Sequence, residues 1–259
     1  MSALRVPQAF APFTGVRITR WRPDPQMAHL ALTADRRRPL THVELHRCLT
    51  DIERLGYRGV VTAALGPPDQ RVFADAGFEV VEQLHLLRHR LDPLPAHRPN
   101  ATRRARRRDH PAVLAVDAAA FLPFWQLDEA TLNEALTATR TSRLRVAEDD
   151  RGTIIGYAIC GRSATRGYVQ RLAVHPDHEG EGVAAALLID GLHWLSRWGA
   201  HDALVNTQQG NERSLRLYLR TGFEPEPAGL AVLRCDFGGH LHLPDEPARP
   251  QGQRALPSP

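Results

Sequence analysis

The stretch LAVHPDHEGEGVAA, residues 172–185, carries the strongest fold signal in the chain. An apolar strand is predicted to end at Val174, a short polar loop follows, and Gly180 and Gly182 open a long helix. Glycines here let the backbone approach a ligand closely, and the free N–H groups of the first helical turn form a site for an anion such as a diphosphate. A tight strand-to-helix turn gives the same pattern without a ligand, so the glycines alone leave both interpretations open.

Strand and helix patterns alternate on both sides of this loop, which is typical of an α/β domain. The predicted helices are residues 109–120, 128–138, 181–198 and 211–220. The predicted strands are residues 144–148, 153–160, 168–174, 203–207 and 230–235. The proline-rich segment 92–102 predicts a linker, and residues 241–259, rich in Pro, Arg and small polar residues, predict a disordered tail.

The chain repeats itself at an offset of 145 residues. The matched positions of the first copy are Val60, Thr62, Arg71, Gly77, Phe78 and Glu79, and those of the second are Val205, Thr207, Arg216, Gly222, Phe223 and Glu224. Each copy reads as an apolar strand, a short helix, a Gly-Phe corner and another strand. The copies differ because Phe73 stands opposite Tyr218, and because residues 33–40 lack the glycines of the second copy's loop. Duplication and convergence of a short unit both explain the matches, and we favour duplication.

Two motifs in the second copy resemble the GNAT N-acetyltransferase family. Its loop pattern, Gln/Arg-x-x-Gly-x-Gly/Ala, is matched at Glu179, Gly182 and Ala184. Its later helix, Asn-x-x-Ala-x-x-Leu-Tyr-x-x-x-Gly-Phe, is matched by the segment NERSLRLYLRTGF, residues 211–223. The two-copy layout also resembles the tandem GNAT arrangement of mycothiol synthases, and the second copy is similar to ribosomal-protein alanine N-acetyltransferases.

The resemblance implies an α/β GNAT fold, with a mixed central sheet and flanking helices. We expect a degenerate GNAT-like half-domain at residues 1–91, a linker at 92–102, a complete N-acetyltransferase domain at 103–240 and a disordered tail at 241–259. One copy is then equipped for chemistry and the other for packing.

The resemblance further implies acyl transfer from acetyl-CoA to an amine of a small molecule or a protein. A backbone N–H near Val174 would stabilise the oxyanion, and Tyr218 would protonate the departing thiolate. Packing alone also explains an aromatic residue at this position. The residues implied to bind acetyl-CoA are Leu172, Ala173, Val174, Glu179, Gly180, Glu181, Gly182, Val183, Ala184, Ala185 and Asn211.

Glu179 departs from the family pattern, and Glu181 places a second acid beside the loop. A carboxylate about 4 Å from a phosphate costs about 1 kcal/mol in water and more where water is excluded. The acids either point to solvent while the amides bind, which we favour, or occupy the place of the diphosphate. The second case gives the alternative function, a catalytically degenerate GNAT module that binds acyl-CoA or a protein partner. The general base is open: Glu148 and a chain of water molecules are both candidates.

Composition excludes several other functions. All 33 basic residues are arginine, so lysine nucleophiles, Schiff bases and lysine-containing P-loops are excluded. The three separated cysteines and the lack of an apolar leader or span predict a cytoplasmic protein without a membrane partner. We expect no metal, because His42 and His46 lack a third ligand. The net charge is only +4, and the arginine run RRARRR at 103–108 is typical of a solvated surface, so we expect no nucleic-acid partner. We expect a monomer or a homodimer.

Overall fold

A computed structural model gives the structure of the chain and describes residues 9–10, 15–21, 23–32, 38–96 and 101–238. Within these ranges the chain forms one sheet of 12 strands, with α-helices packed on both faces. The strands are β1 (Ala9–Phe10), β2 (Val16–Arg20), β3 (Met27–Leu32), β4 (Gly59–Thr62), β5 (Glu79–His89), β6 (Arg103–Arg104), β7 (Thr141–Glu148), β8 (Ile154–Ser163), β9 (Arg166–Val174), β10 (Asp202–Gln208), β11 (Glu224–Pro225) and β12 (Leu230–Asp236). The helices are α1 (His42–Arg54), α2 (Pro67–Asp75), α3 (His110–Ala120), α4 (Glu129–Thr137), α5 (Val183–Arg197) and α6 (Glu212–Arg220).

Every helix and strand predicted between residues 109 and 235 is confirmed, with ends that differ by a few residues. Local chemistry sets these ends. Helix α4 begins where the Asp128 side chain accepts a hydrogen bond from the Thr131 N–H at 2.9 Å. Helix α5 begins later than predicted because Gly182 takes a left-handed conformation, which a helical residue cannot have.

The sheet is mixed, as the sequence predicts. Its strand order is β1-β2-β3-β4-β12-β5-β10-β9-β8-β7-β6, with β11 paired to β5 outside this path. The pairs β3–β4 and β9–β10 are parallel, and the other pairs are antiparallel. Parallel strands need a crossover connection, and α1 and α5 supply the two crossovers.

The two halves of the chain exchange their last strands. Strand β12, from the C-terminal half, lies between β4 and β5. Strand β5, from the N-terminal half, pairs on one side with β10 and on the other with β11. Neither half therefore has a complete sheet of its own, and the sheet runs without a break across the predicted boundary between residues 91 and 103.

The repeated unit has the same local geometry in both copies. Gly77 and Gly222, matched by the repeat, both have positive φ, at 84° and 91°. The phenylalanine that follows each glycine meets the matched helix aromatic edge-on, with ring centroids 5.0 Å apart for Phe73–Phe78 and 5.6 Å apart for Tyr218–Phe223. Each corner thus turns the chain from a helix into a strand and places an aromatic ring in a core.

Close packing fixes α5 against the sheet. A Cβ at Gly191 of α5 would lie 2.6 Å from the Cys160 Sγ of β8, and a Cβ at Gly156 of β8 would lie 3.0 Å from a methyl group of Val183. A Cβ at Gly191 would force its surroundings to shift and one at Gly156 would be tight, so the two glycines let helix and sheet approach closely. The N-terminus of α5 is thereby held beside the end of β9.

The predicted linker is partly packed. Leu94 packs against the core between α5 and the sheet, and the Pro95 carbonyl oxygen lies 2.8 Å from His193 Nε2. Residues 97–100 and the predicted tail at 241–259 lie outside the described residues. In the part of the chain that the structure describes, no helix is long and apolar enough to cross a membrane.

Candidate acetyl-CoA site and acceptor cavity

Strands β9 and β10 separate toward the functional loop. They pair only where residues 166–168 meet residues 202–204, while β9 runs on to Val174. The N–H of His175 bonds to the Ile155 carbonyl on β8, at 2.8 Å. Since alternate residues of a strand direct their backbone groups to opposite edges, those of Leu172 and Val174 face the open edge beside β10. This edge offers the backbone pairing predicted for the pantetheine arm and the predicted oxyanion donor.

The loop after β9 exposes the amino end of α5. Gly180 and Gly182 have φ values of 87° and 85°, a region that strongly favours glycine. Gly182 is the N-cap, and no side chain caps the helix there. The first amide bonded within the helix is that of Ala186, so the amides of Val183, Ala184 and Ala185 are available to an anion.

A cavity of about 280 Å³ lies between this loop, the open edge of β9 and α6. It brings together all the predicted site residues except Glu181. The predicted residues that line it are Leu172, Ala173, Val174, Glu179, Gly180, Gly182, Val183, Ala184, Ala185, Asn211 and Tyr218. Arg213 and Arg220 of α6 also line it, and the sequence reasoning missed both.

The two acids beside the loop have partners. Glu179 forms an ion pair with Arg213 across the cavity. Glu181 lies outside the cavity lining, with its carboxylate 3.2 Å from His178 Nδ1. Neither acid occupies the helix N-terminus as a cap. The residues present therefore fit an anionic diphosphate, because the amides are free and the nearer carboxylate is paired.

Asn211 has a structural task that the sequence reasoning did not assign. Its side-chain oxygen accepts a hydrogen bond from the Ser214 N–H at 3.0 Å and so caps α6. The side chain still lines the cavity, but its oxygen is engaged in the cap.

Tyr218 lies where this cavity meets a larger one. Its side chain is buried, and that burial raises the pKa of the Tyr218 phenol. The hydroxyl therefore keeps its proton at neutral pH, as a proton donor must. Leu172, Asn211 and Ser214 line both cavities as well.

The larger cavity measures about 850 Å³ and is built from both halves of the chain. The N-terminal half contributes Thr19, Trp21, His29, Val61 and Leu84, among others. The C-terminal half contributes the connection between α3 and α4 together with Gln170, Asn206 and Gln208. A volume of this size accommodates a small organic molecule.

A buried charge cluster holds the α3–α4 connection over this cavity. Asp117 of α3 is fully buried and pairs with Arg171 of β9. The Tyr157 hydroxyl donates to the same carboxylate, and Arg171 Nη2 donates to the Trp125 carbonyl oxygen at 2.6 Å. The Phe121 ring lies 3.6 Å from the Arg171 guanidinium carbon. The cluster contains one charge of each sign and fixes the α3–α4 connection to β9, the strand whose end lines the smaller cavity.

Glu148 is a wrong candidate for the general base. Its carboxylate is bound by Arg103 at 2.5 Å, which lowers the pKa of Glu148, and the residue lines neither cavity. His29 lines the larger cavity, but burial and then the charge of Arg17 lower its pKa to about 4, so it is neutral and weakly basic at pH 7. Of the two candidates for the general base, a chain of water molecules is the one that remains.

The first copy lacks the free helix terminus of the second. Thr41 caps α1 by accepting from the Glu44 N–H, and the Glu44 carboxylate accepts from the Thr41 N–H in return. The N–H of Leu40 donates to Asp69 of α2 at 3.0 Å. The cap engages the Glu44 amide of the first turn, and Phe73 carries no hydroxyl at the position that matches Tyr218.

Comparison with known proteins agrees with this geometry. Residues 110–223 match the model of the acetyltransferase (GNAT) family. The chain is 35% identical over 115 residues to an uncharacterized N-acetyltransferase of Mycobacterium bovis, a match that covers 44% of this chain and 72% of the relative. It is 30% identical over 178 residues to the mycothiol acetyltransferase of Propionibacterium freudenreichii, covering 64% of this chain and 54% of the relative. The chain thus spans about half the length of that relative.

Solved structures show the same fold. A tandem GNAT protein from the clavulanic acid biosynthesis pathway superposes with a TM-score of 0.63 at 14% identity, covering 87% of this chain and 79% of that one. A GNAT protein from Kribbella flavida gives a TM-score of 0.59 at 18% identity, covering 88% of both chains. The open edge of β9, the uncapped helix α5 and these similarities agree, and the chain belongs to the GNAT acetyltransferase family.

Proposed function

We propose that the chain transfers the acetyl group of acetyl-CoA to an amine of a small molecule. The observation that carries the proposal is the meeting of two cavities at Tyr218, one with free helix amides and the other sized for a small organic molecule. GNAT acetyltransferases in general use acetyl-CoA, and the relatives include proteins named mycothiol acetyltransferase.

In this proposal the smaller cavity takes the donor. The amides of Val183, Ala184 and Ala185 bind the diphosphate, and the backbone of Leu172 and Val174 pairs with the pantetheine arm. The Val174 N–H donates to the thioester oxygen as negative charge develops there. Bound acetyl-CoA supplies an activated acyl group, so the chain needs only to position it and stabilise charge.

The larger cavity takes the acceptor, which must be neutral at nitrogen when it attacks. The new C–N bond forms at the thioester carbon, and the amine proton passes to water. As the C–S bond breaks, Tyr218 donates its proton to the leaving thiolate and regains one from solvent. The walls of this cavity come from both halves, and its volume of about 850 Å³ suits a small molecule.

The N-terminal half contributes the acceptor wall and, in this proposal, no donor site. Its corresponding helix is capped by Thr41 and Glu44, and Phe73 replaces the tyrosine. We therefore retain the division into a degenerate first copy and a working second copy as part of the proposal.

Calorimetry with acetyl-CoA is the first test. We expect saturable binding at micromolar to millimolar cofactor, followed by release of free thiol when a panel of small primary amines is added. No binding at millimolar acetyl-CoA would reject the proposal. Binding without turnover on any amine would support the alternative, a degenerate module that binds acyl-CoA. Faster turnover on short peptides with free N-termini would assign a protein acceptor instead.

A further inference from the structure

Among the residues that the structure describes, Glu179 is the one acid in the lining of the smaller cavity, the proposed acetyl-CoA site. It stands where the family pattern has glutamine or arginine, beside amides placed to bind a diphosphate. Unpaired, a carboxylate there would repel the cofactor by about 1 kcal/mol for each phosphate about 4 Å away in water. The chain needs a compensating charge at this position.

Arg213, on helix α6, provides the positive charge that compensates Glu179. It lies in the first turn of α6, 34 residues after Glu179, and its Nη1 forms an ion pair with the Glu179 carboxylate. Both side chains line the cavity, and about half of each is exposed to solvent, at 54% for Arg213 and 43% for Glu179. The pair therefore bridges the two elements between which the cofactor would lie.

Besides Glu179 and Arg213, two basic side chains line the described part of the cavity. Arg220 lines it about two turns further along the same face of α6, and His178 lines it from the loop. Glu181 lies beside His178 outside the lining. With Glu179 neutralised by Arg213, the remaining field over the helix amides is positive and suits a polyanion.

We propose that Arg213 is a cofactor-binding residue whose task is to neutralise Glu179, so that the acidic loop still accepts the diphosphate of an acyl-CoA. This inference rests on the proposed function. Glu179 and Arg213 then act as one unit, and the acid in the motif is tolerated because the arginine is present.

The test is calorimetric titration of acetyl-CoA into the wild type and the variants R213Q, E179Q and E179Q/R213Q. We expect R213Q to weaken binding about tenfold, E179Q to tighten it several-fold, and the double variant to bind within about threefold of the wild type. The control is R216Q, because Arg216 lies on the same helix, pairs with Glu212 at 2.8 Å and lines neither cavity. It removes the same charge and should change affinity less than about twofold.

Two outcomes would overturn the assignment while wild-type binding stands. One is an R213Q affinity no lower than that of R216Q, which would make the effect one of net charge alone. The other is a double variant that binds as weakly as R213Q, which would mean that Arg213 acts without reference to Glu179. Absence of wild-type binding would reject the proposed function together with this assignment. All three substituted side chains are at least partly exposed, so thermal melting should show folded proteins throughout.

Discussion

Asp117 of α3 and Arg171 of β9 form a two-point ion pair inside the protein, with Nε–Oδ2 at 2.8 Å and Nη2–Oδ1 at 3.0 Å. The same carboxylate accepts from the Leu127 N–H at 2.6 Å. One buried residue thus ties the α3–α4 connection, which lines the larger cavity, to strand β9. Breaking a buried pair leaves an uncompensated charge and costs more than the pair contributes.

Asp117→Asn should therefore lower the free energy of unfolding by about 3–5 kcal/mol, measured by urea denaturation. Asp190→Asn is the matched control, because Asp190 is also nearly buried and pairs with Arg143 and Arg145, both at 3.1 Å, away from the cavities. Both variants should lose stability, but only Asp117→Asn should speed hydrogen exchange at the Leu127 amide in the native state. Equal exchange in the two variants would show that the ion pair does not hold the loop.

Tyr218→Phe should lower turnover about 10²- to 10⁴-fold, the usual range for loss of a general acid, while the acetyl-CoA dissociation constant stays within about twofold. Folding should be preserved, since Phe73 occupies the matched position of the first copy and is fully buried. Steady-state kinetics and calorimetry on the same preparation separate the two effects. Unchanged turnover would remove Tyr218 from the chemistry.

Gly182→Ala should weaken acetyl-CoA binding and cost about 1–2 kcal/mol of stability, because alanine is strained at positive φ. Gly199→Ala is a close control: Gly199 has φ 80° against 85° for Gly182, and a Cβ at either position meets no atom within 4 Å. Gly199 follows the far end of α5. The two variants should lose similar stability in denaturation, and only Gly182→Ala should lose affinity. Matching affinities would show that the loop conformation is not needed for binding.

Acidification should destabilise the protein through His29, whose pKa in the folded state is about 4 against 6.5 for an ordinary histidine. Because the folded pKa is lowered, the unfolded chain takes up the proton first as pH falls below 6.5, and the loss of stability levels off below about pH 4. Above pH 7 the residue is neutral in both states and contributes no pH dependence. His29→Gln should flatten the change in urea midpoint between pH 7 and pH 5. An unchanged slope would place the acid sensitivity in other groups.

Separate expression of residues 101–259 should give a protein that does not unfold cooperatively, because β10 and β11 lose β5 and β12 loses both its neighbours. Co-expression with residues 1–96 should restore a cooperative complex, detectable by circular dichroism melting and co-purification. A C-terminal fragment that melts cooperatively by itself would contradict the structural interdependence of the halves.

The sequence predicts well what depends on neighbouring residues. Gly180 and Gly182 set a local turn, and the helical pattern of residues 181–198 gives α5 almost to its ends. It also predicts most of the residues that line the smaller cavity, because most of them follow one another from the end of β9 through the loop into α5.

What the sequence does not predict depends on contacts between distant segments. Nothing near Glu179 identifies Arg213 as its partner, since the loop and α6 meet only through the packing of the sheet. The pairing of Asp117 with Arg171 and the engagement of Glu148 by Arg103 are of the same kind. A charged side chain does not reveal from its position in the chain which opposite charge it will meet.

The exchange of β5 and β12 has a consequence for the order in which the protein is made. During translation, strands β4 (residues 59–62) and β5 (residues 79–89) leave the ribosome long before β12 (residues 230–236) is synthesised. During that interval the strand that belongs between β4 and β5 does not yet exist, and unpaired strand edges are prone to aggregation. The edges of β4 and β5 that pair with β12 therefore stay unpaired until residues 230–236 have been synthesised.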